Sequence, residues 1–176
     1  IASAASSVVA ILLFKVWLES LGIPGFDALL MFAPFCILFT IFATVGVVNA
    51  FNLIDGLNGL SSYVTVSAAV SLSIIAFQAG NVQVSIFLVL CVAAVFGFMA
   101  LNFPMGKIFL GDMGSYFLGL LSSYLVIQTF ANYPELPTWS AVIVLFYPTL
   151  EVIFSYIRKL MSLHSPLKPD NLHLHL

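Results

Sequence analysis

Three stretches of this 176-residue chain combine side chains that can handle charged groups. The first, residues 49–60, places Asn49, Asn52, Asp55 and Asn58 among apolar residues, with Gly56 and Gly59 between them. A segment that only turned the chain would not need four polar side chains spaced in this way. The two glycines allow a tight turn and a close approach of backbone to a ligand. The helix expected to follow begins with unbonded N–H groups, and such an end attracts anions, phosphate included. A plainer reading is a capped helix start, with Asp55 or Asn58 as the cap. The second stretch, residues 102–115, sets Asp112 between Gly111 and Gly114 before another helix, with Lys107 five residues upstream. Asp112 is a hard oxygen donor suited to Mg²⁺, which takes one or two carboxylates together with substrate phosphates. Lys107 can hold a phosphate as a point charge. Here the plainer reading is an N-cap, Asp112 or Ser115, beside a Lys that sets orientation. The third stretch is the tail, residues 164–175, where Pro166 and Pro169 oppose a helix. In an extended tail His173 and His175 point to the same side. That pair can bind metal, pair with phosphate or shuttle protons; a solvated loop is the alternative. His164 is read as interfacial.

The elements that must position these residues are set by composition. Hydrophobic residues make up 62% of the chain and charged residues only 7%, against about 25% in soluble domains. So few charges cannot cover a water-facing surface. A cytosolic globular enzyme, a disordered tail and a basic nucleic-acid binder are excluded. An all-α, polytopic transmembrane bundle remains. Six apolar runs are long enough to count as spans: residues 2–18, 28–48, 60–79, 82–101, 115–131 and 138–157. Lys15 lies near the end of the first and is expected to snorkel. Pro148 and Glu151 predict a kink at the proline and one buried acid in the last. Glu151 and Arg158, seven positions apart, share a helix face, and a structural role near the site is expected for the acid. Cys36 and Cys91 sit mid-run and are read as packing residues. The chain opens at Ile1 within an apolar stretch and stops just after His175, and it is read as a single membrane domain cut at both ends.

With six spans, alternate connections share a side. Residues 19–27, 78–81 and 132–137 are plain and carry no Lys or Arg. The three polar stretches fall on the other side, together with Lys107, Arg158, Lys159 and Lys168. The positive-inside rule makes that side cytoplasmic.

The three stretches resemble the signatures of the polyprenyl-phosphate N-acetylhexosamine-1-phosphate transferases. Residues 49–60 match the pattern N-x-x-N-x-x-D-G-x-D-G-L, residues 109–115 match F-x-G-D-x-G-S, and residues 165–175 match S-P-x-x-P-D-x-x-H-x-H. The last has the form of the undecaprenyl-phosphate N-acetylglucosamine-1-phosphate transferase branch. The resemblance implies a longer protein of about ten spans in the inner membrane of a bacterium. Its reaction would move sugar-1-phosphate from a UDP-sugar to undecaprenyl phosphate and release UMP, as the first membrane step of envelope glycan synthesis. Asp112 would then be the Mg²⁺ ligand, with Mn²⁺ as a substitute. Asn52 and Asp55 would line the catalytic centre. Asn49, Asn58, Lys107, Gly111, Ser115, His173 and His175 would contact substrate. The partners would be the lipid, the nucleotide sugar and the bilayer, with no nucleic acid, and a homodimer is admitted. The chain departs from the pattern twice. It has no Asp-Asp pair, and Asn58 stands where the family has Asp, so no general base is expected at that position. For lack of the Asp pair the chain alone is expected to be inactive. A transporter and a catalytically degenerate family member are the competing readings.

Overall fold

The computed structural model describes residues 2–133, 136 and 139–161 of the chain. Among these it is all helical: α1 (Ala2–Phe14), α2 (Phe26–Leu30), α3 (Ala33–Ile54), α4 (Leu60–Gln78), α5 (Val82–Asn102), α6 (Gly111–Asn132), α7 (Ser140–Val144) and α8 (Phe146–Met161). At 1.5 Å per residue the 22 residues of α3 reach about 33 Å, enough to cross a hydrocarbon core of about 30 Å. α3, α4 and α5 all have the length and hydropathy of membrane-crossing helices. α6 is as long as α3 but carries Ser115, Ser122, Ser123 and Thr129 on buried positions, which lowers its hydropathy.

α4 lies at the centre, between its hairpin partner α5 and the parallel α6. The α4–α5 turn is held locally: the Asn81 side chain accepts from the Val84 N–H at 3.2 Å. Lower down, the Ser73 and Ser85 hydroxyls pair at 2.9 Å, a polar contact of the kind that joins helices in a bilayer. α3 packs antiparallel on α6 and also receives α1 and α8. The core is built from Phe51, Ile54, Leu72, Leu88, Leu118 and Leu125 with their neighbours. Cys36 is buried and Cys91 half-buried, and both are free thiols.

The first, second and last of the expected spans differ most: the second is split at Met31 and Phe32 into α2 and α3, and α3 runs on to Ile54. The first ends at Phe14, not at residue 18, because Lys15 takes a left-handed φ of 52°. The chain then runs without helix, and its Leu18 N–H bonds to the Thr40 hydroxyl at 3.0 Å. Lys15 therefore terminates a helix instead of riding inside one. The last span is broken at Leu145, three residues before the expected kink at Pro148. The proline has no N–H to give the carbonyl four residues back, so the interruption falls on the turn preceding it. Thr149 restarts the ladder, its N–H bonding to Leu145 O at 3.1 Å and its hydroxyl at 2.7 Å. Glu151 is fully buried on α8, as expected for an acid in the last span. The Arg158 guanidinium lies over the Phe154 ring at 5.7 Å.

Candidate functional site

The first motif is less of a loop than its composition suggests. α3 continues to Ile54, so Asn49 and Asn52 are helical and only residues 55–59 form the turn. The second motif is likewise partly helical, because α6 begins at Gly111 and not at Ser115. Both polar motifs thus sit on the ends of two helices that touch.

The register between those helices is fixed by Gly119. A Cβ there would lie 2.8 Å from the Val48 Cα and 3.1 Å from the Phe51 Cβ, so only glycine lets the backbones approach this closely. From that contact, one turn forward on α3 and one turn back on α6 brings Asn52 opposite Ser115. The Ser115 hydroxyl is 3.3 Å from Asn52 Oδ1 and 3.1 Å from the Asp112 carbonyl. The Asn52 amide donates to the Tyr116 hydroxyl at 3.5 Å. A further turn outward, Asp55 and Asp112 lie at the same end of the bundle, near enough for the charge of one to act on the other. Burial pushes the Asp55 carboxyl above its ordinary value, and the negative charge of Asp112 adds to the rise; a hydrogen bond from the Ser61 hydroxyl at 2.7 Å opposes it.

The capping alternative is not what forms. α4 is capped by Gly59 and α6 by Leu110, and neither start has a side-chain cap. Asp55 instead accepts from the hydroxyl of Ser61, one turn on, and Asp112 stands exposed in the first turn of α6. Asn58 reaches the other motif, its amide donating to Pro104 O at 3.4 Å. The polar side chains are therefore turned toward each other and toward solvent, not onto their own helix.

The remaining expected residues are spread more widely. Asn49 is exposed on α3, three residues before Asn52. Lys107 and Gly111 are exposed in the second loop and at the start of α6. Ser115 is wholly buried, so it orients Asn52. His173 and His175 lie outside the described residues. Sequence reasoning missed Tyr116, Ser61, Gly119 and Asn102. Gly119 alone had a signal, as a small residue one turn from the motif Ser115 in an apolar span.

Beside Asp112 a cavity of about 470 Å³ runs between Ser3 and Ser6 of α1, Val48 of α3 and Tyr116, Phe117 and Leu120 of α6. Its walls are mainly apolar and Asp112 stands among the residues that line it. The donor set fits a divalent cation of the Mg²⁺ type: two carboxylates near each other and an amide oxygen, all hard donors, short of a closed cage. Among the described residues no group of three or more His, Cys, Asp or Glu exists that could hold a metal alone. Such a site would be completed by water or by substrate oxygens.

Comparison with known proteins shows the family. The family model for glycosyl transferase family 4 matches residues 1–130, which include α3, the Asp55 turn, the Asp112 loop and nearly all of α6. The chain belongs to that family. A Bacillus subtilis (strain 168) protein named "Probable undecaprenyl-phosphate N-acetylglucosaminyl 1-phosphate transferase" is 33% identical over 139 residues, 77% of this chain and 38% of the relative. The undecaprenyl-phosphate alpha-N-acetylglucosaminyl 1-phosphate transferase of Escherichia coli (strain K12) is 27% identical over 178 residues, 98% of this chain and 48% of the relative. A phospho-N-acetylmuramoyl-pentapeptide-transferase of Clostridium perfringens (strain 13 / Type A) is 39% identical over 100 residues, 57% of this chain and 32% of the relative. The chain spans about half, or less, of the length of these relatives. As a family member with membrane-type helices and bacterial relatives, it is a bacterial membrane protein.

Proposed function

We propose that this chain forms part of a membrane enzyme that transfers sugar-1-phosphate from a UDP-sugar to undecaprenyl phosphate. An oxygen of the lipid phosphate attacks the β-phosphorus of the nucleotide sugar. The bond from that phosphorus to the bridging oxygen breaks, and UMP leaves with the electron pair. The observation that carries the reading is the α3–α6 ladder, which sets Asn52 against Ser115 and places Asp55 and Asp112 at the same end of the bundle, each within electrostatic reach of the other. A transporter site belongs near mid-depth of the bilayer, whereas this one sits at the helix ends.

The two reactants are both anionic, so the site must offset charge. Asp112, with Asp55 near it, would hold Mg²⁺, which supplies positive charge to phosphate oxygens when bound. Asn52 is held by Ser115 with its amide directed to one side, and so presents a fixed dipole to the same space. The exposed first turn of α6, which has no side-chain cap, would offer backbone N–H groups to phosphate. Lys107 adds a cation on the loop leading to Asp112. The apolar cavity beside Asp112 has the chemistry to accept the first isoprene units of the lipid while its phosphate meets the carboxylate end. The tail residues His173 and His175 are assigned to nucleotide-sugar binding on the motif alone.

The deciding experiment is UMP release by the full-length protein in bilayer nanodiscs, with undecaprenyl phosphate and a panel of UDP-sugars. Mg²⁺-dependent release with one donor is expected; no release with any donor would discard the reading. The orientation is tested separately. Single cysteines at Asn58 or Lys107 should resist a membrane-impermeant thiol reagent on intact cells, and those at Asn81 or Asn132 should react. Labelling of the first pair would invert the topology.

A further inference from the structure

The two motif turns are tied together by one side chain that neither motif pattern contains. Asn102, the last residue of α5, is buried. Its Oδ1 accepts from the Gly59 N–H at 2.6 Å, across 43 positions of sequence. Its Nδ2 donates to the Ile108 carbonyl at 2.8 Å, and its own carbonyl accepts from the Gly106 N–H at 2.7 Å. One residue is thus bonded to the end of the Asp55 turn and to two points of the loop that leads to Asp112.

The surrounding contacts leave little freedom. Gly59 and Gly106 have φ of 83° and 59°, where glycine is strongly favoured. A Cβ on Gly59 would lie 3.0 Å from the Phe103 Cβ, and one on Gly106 would lie 2.7 Å from Asn58 Nδ2. Asn58 adds its own bond to Pro104 O, which the charged oxygen of an ionised aspartate could not make. The opposite end of the bundle has nothing comparable in the α4–α5 turn, where Asn81 bonds three residues away on its own helix. A single side chain that joins two separate turns indicates that their relative placement matters there.

We propose that Asn102 is a positioning residue. It holds the 55–59 turn and the 103–110 loop in the mutual placement that catalysis needs, acting through the backbones of Gly59 and Ile108 without touching substrate. The α3–α6 ladder fixes Asp55 against Asp112 from one side, and Asn102 fixes their flanking turns from the other. The catalytic half of this proposal rests on the transferase reading; the structural half does not.

The test uses the full-length protein and two variants, Asn102→Ala and Asn102→Asp, with hydrogen exchange read by mass spectrometry and UMP-release kinetics. In Asn102→Ala, peptides covering 56–60 and 103–110 should exchange about tenfold faster or more, while mid-α4 and mid-α6 peptides stay protected. Its kcat should fall roughly 10–100-fold, the scale of an ångström-level misplacement, with KM for undecaprenyl phosphate unchanged. Asn102→Asp keeps the acceptor for Gly59 and loses the donor to Ile108, so only the 103–110 peptide should quicken. Unchanged exchange in both peptides would overturn the proposal. So would loosened turns with a normal kcat. Loss of protection throughout α4 and α6 in both variants would make Asn102 a fold residue, and also overturns it. If the wild-type protein releases no UMP, the transferase reading fails, and the exchange pattern alone then decides the tie.

Discussion

Two aspartates in glycine-containing turns, Asp27 and Asp55, show how the same residue type is put to opposite uses. Asp27 sits in the first turn of the short α2 and is consumed by its own neighbourhood. It accepts from the Leu21 N–H at 2.8 Å, the Ser20 hydroxyl at 2.7 Å and the Gly22 N–H at 3.1 Å. These bonds, with the Leu21 N–H foremost, hold its carboxyl below the ordinary value. Asp55 accepts from Ser61, and its carboxyl is pushed the other way by burial and by Asp112. Donors close Asp27 into a turn; Asp55 is left with charge that only an outside cation or donor can relieve. A carboxylate whose needs are met locally is structural, and one whose charge its surroundings disfavour is a candidate for function.

The sharpest way to break this contrast is to remove the unsatisfied charges. Asp112→Asn and Asp55→Asn should each lower UMP release by about 100-fold or more, the order expected when one preorganised electrostatic group is lost. Asp55→Asn keeps an oxygen for Ser61 and sheds a disfavoured charge. Its melting temperature, measured with chelator present, should therefore rise by roughly 2–4 °C as function falls. Near-normal turnover in either variant, or a lower melting temperature for Asp55→Asn, would remove the distinction drawn from Asp27.

A smaller effect tests the ladder itself. Gly119→Ala puts a methyl 2.8 Å from the Val48 Cα, which is backbone and cannot swing aside. Overpacking of this kind costs about 1–3 kcal/mol, offset by about 1 kcal/mol of better helix propensity. A modest loss of stability is expected, but α3 and α6 must part by some tenths of an ångström. Asn52 and Ser115 move with them, and kcat should drop about tenfold. Wild-type kcat would show that this register does not control the site.

What the sequence made legible divides along the same line. The apolar runs gave α4 and α5 nearly to the residue, because helix length in a bilayer is dictated by thickness and hydropathy, whereas α3 starts five residues later and ends six residues later than its run. The motif spacing placed Asn52, Asp55 and Asp112 in one neighbourhood. It could not show their pairing, because the register comes from Gly119, whose only signal is its small size one turn from Ser115. Asn102 was hidden similarly: it opens the second polar stretch, and nothing in its spacing shows that it bonds to Gly59, 43 positions away. Capping stood as the plainer alternative because Asp, Asn and Ser near a helix start satisfy its N–H groups in most proteins. Here neither start has a side-chain cap. The Lys15 turn and the break at Leu145 depend on backbone choices that periodicity does not encode.

The least disruptive change probes the other half of the comparison. Asp27→Asn should leave UMP release within about twofold of wild type, because the α2 turn lies at the opposite end of α3 from Asp55. It should still lower the melting temperature, since an amide is a weaker acceptor for the Leu21 and Gly22 N–H groups and carries no charge. The pH dependence has a definite sign. A carboxyl held below its ordinary value contributes stability that is present above that value and lost as pH falls through the depressed one. The gap in melting temperature between wild type and Asp27→Asn should thus be full near neutral pH and shrink on acidification below the ordinary carboxylate range. A gap that stayed constant into that acid range would mean that the charge of Asp27 contributes nothing. A fall in turnover at neutral pH would mean that the α2 turn is coupled to the site along α3, and the separation of the two aspartates would no longer hold.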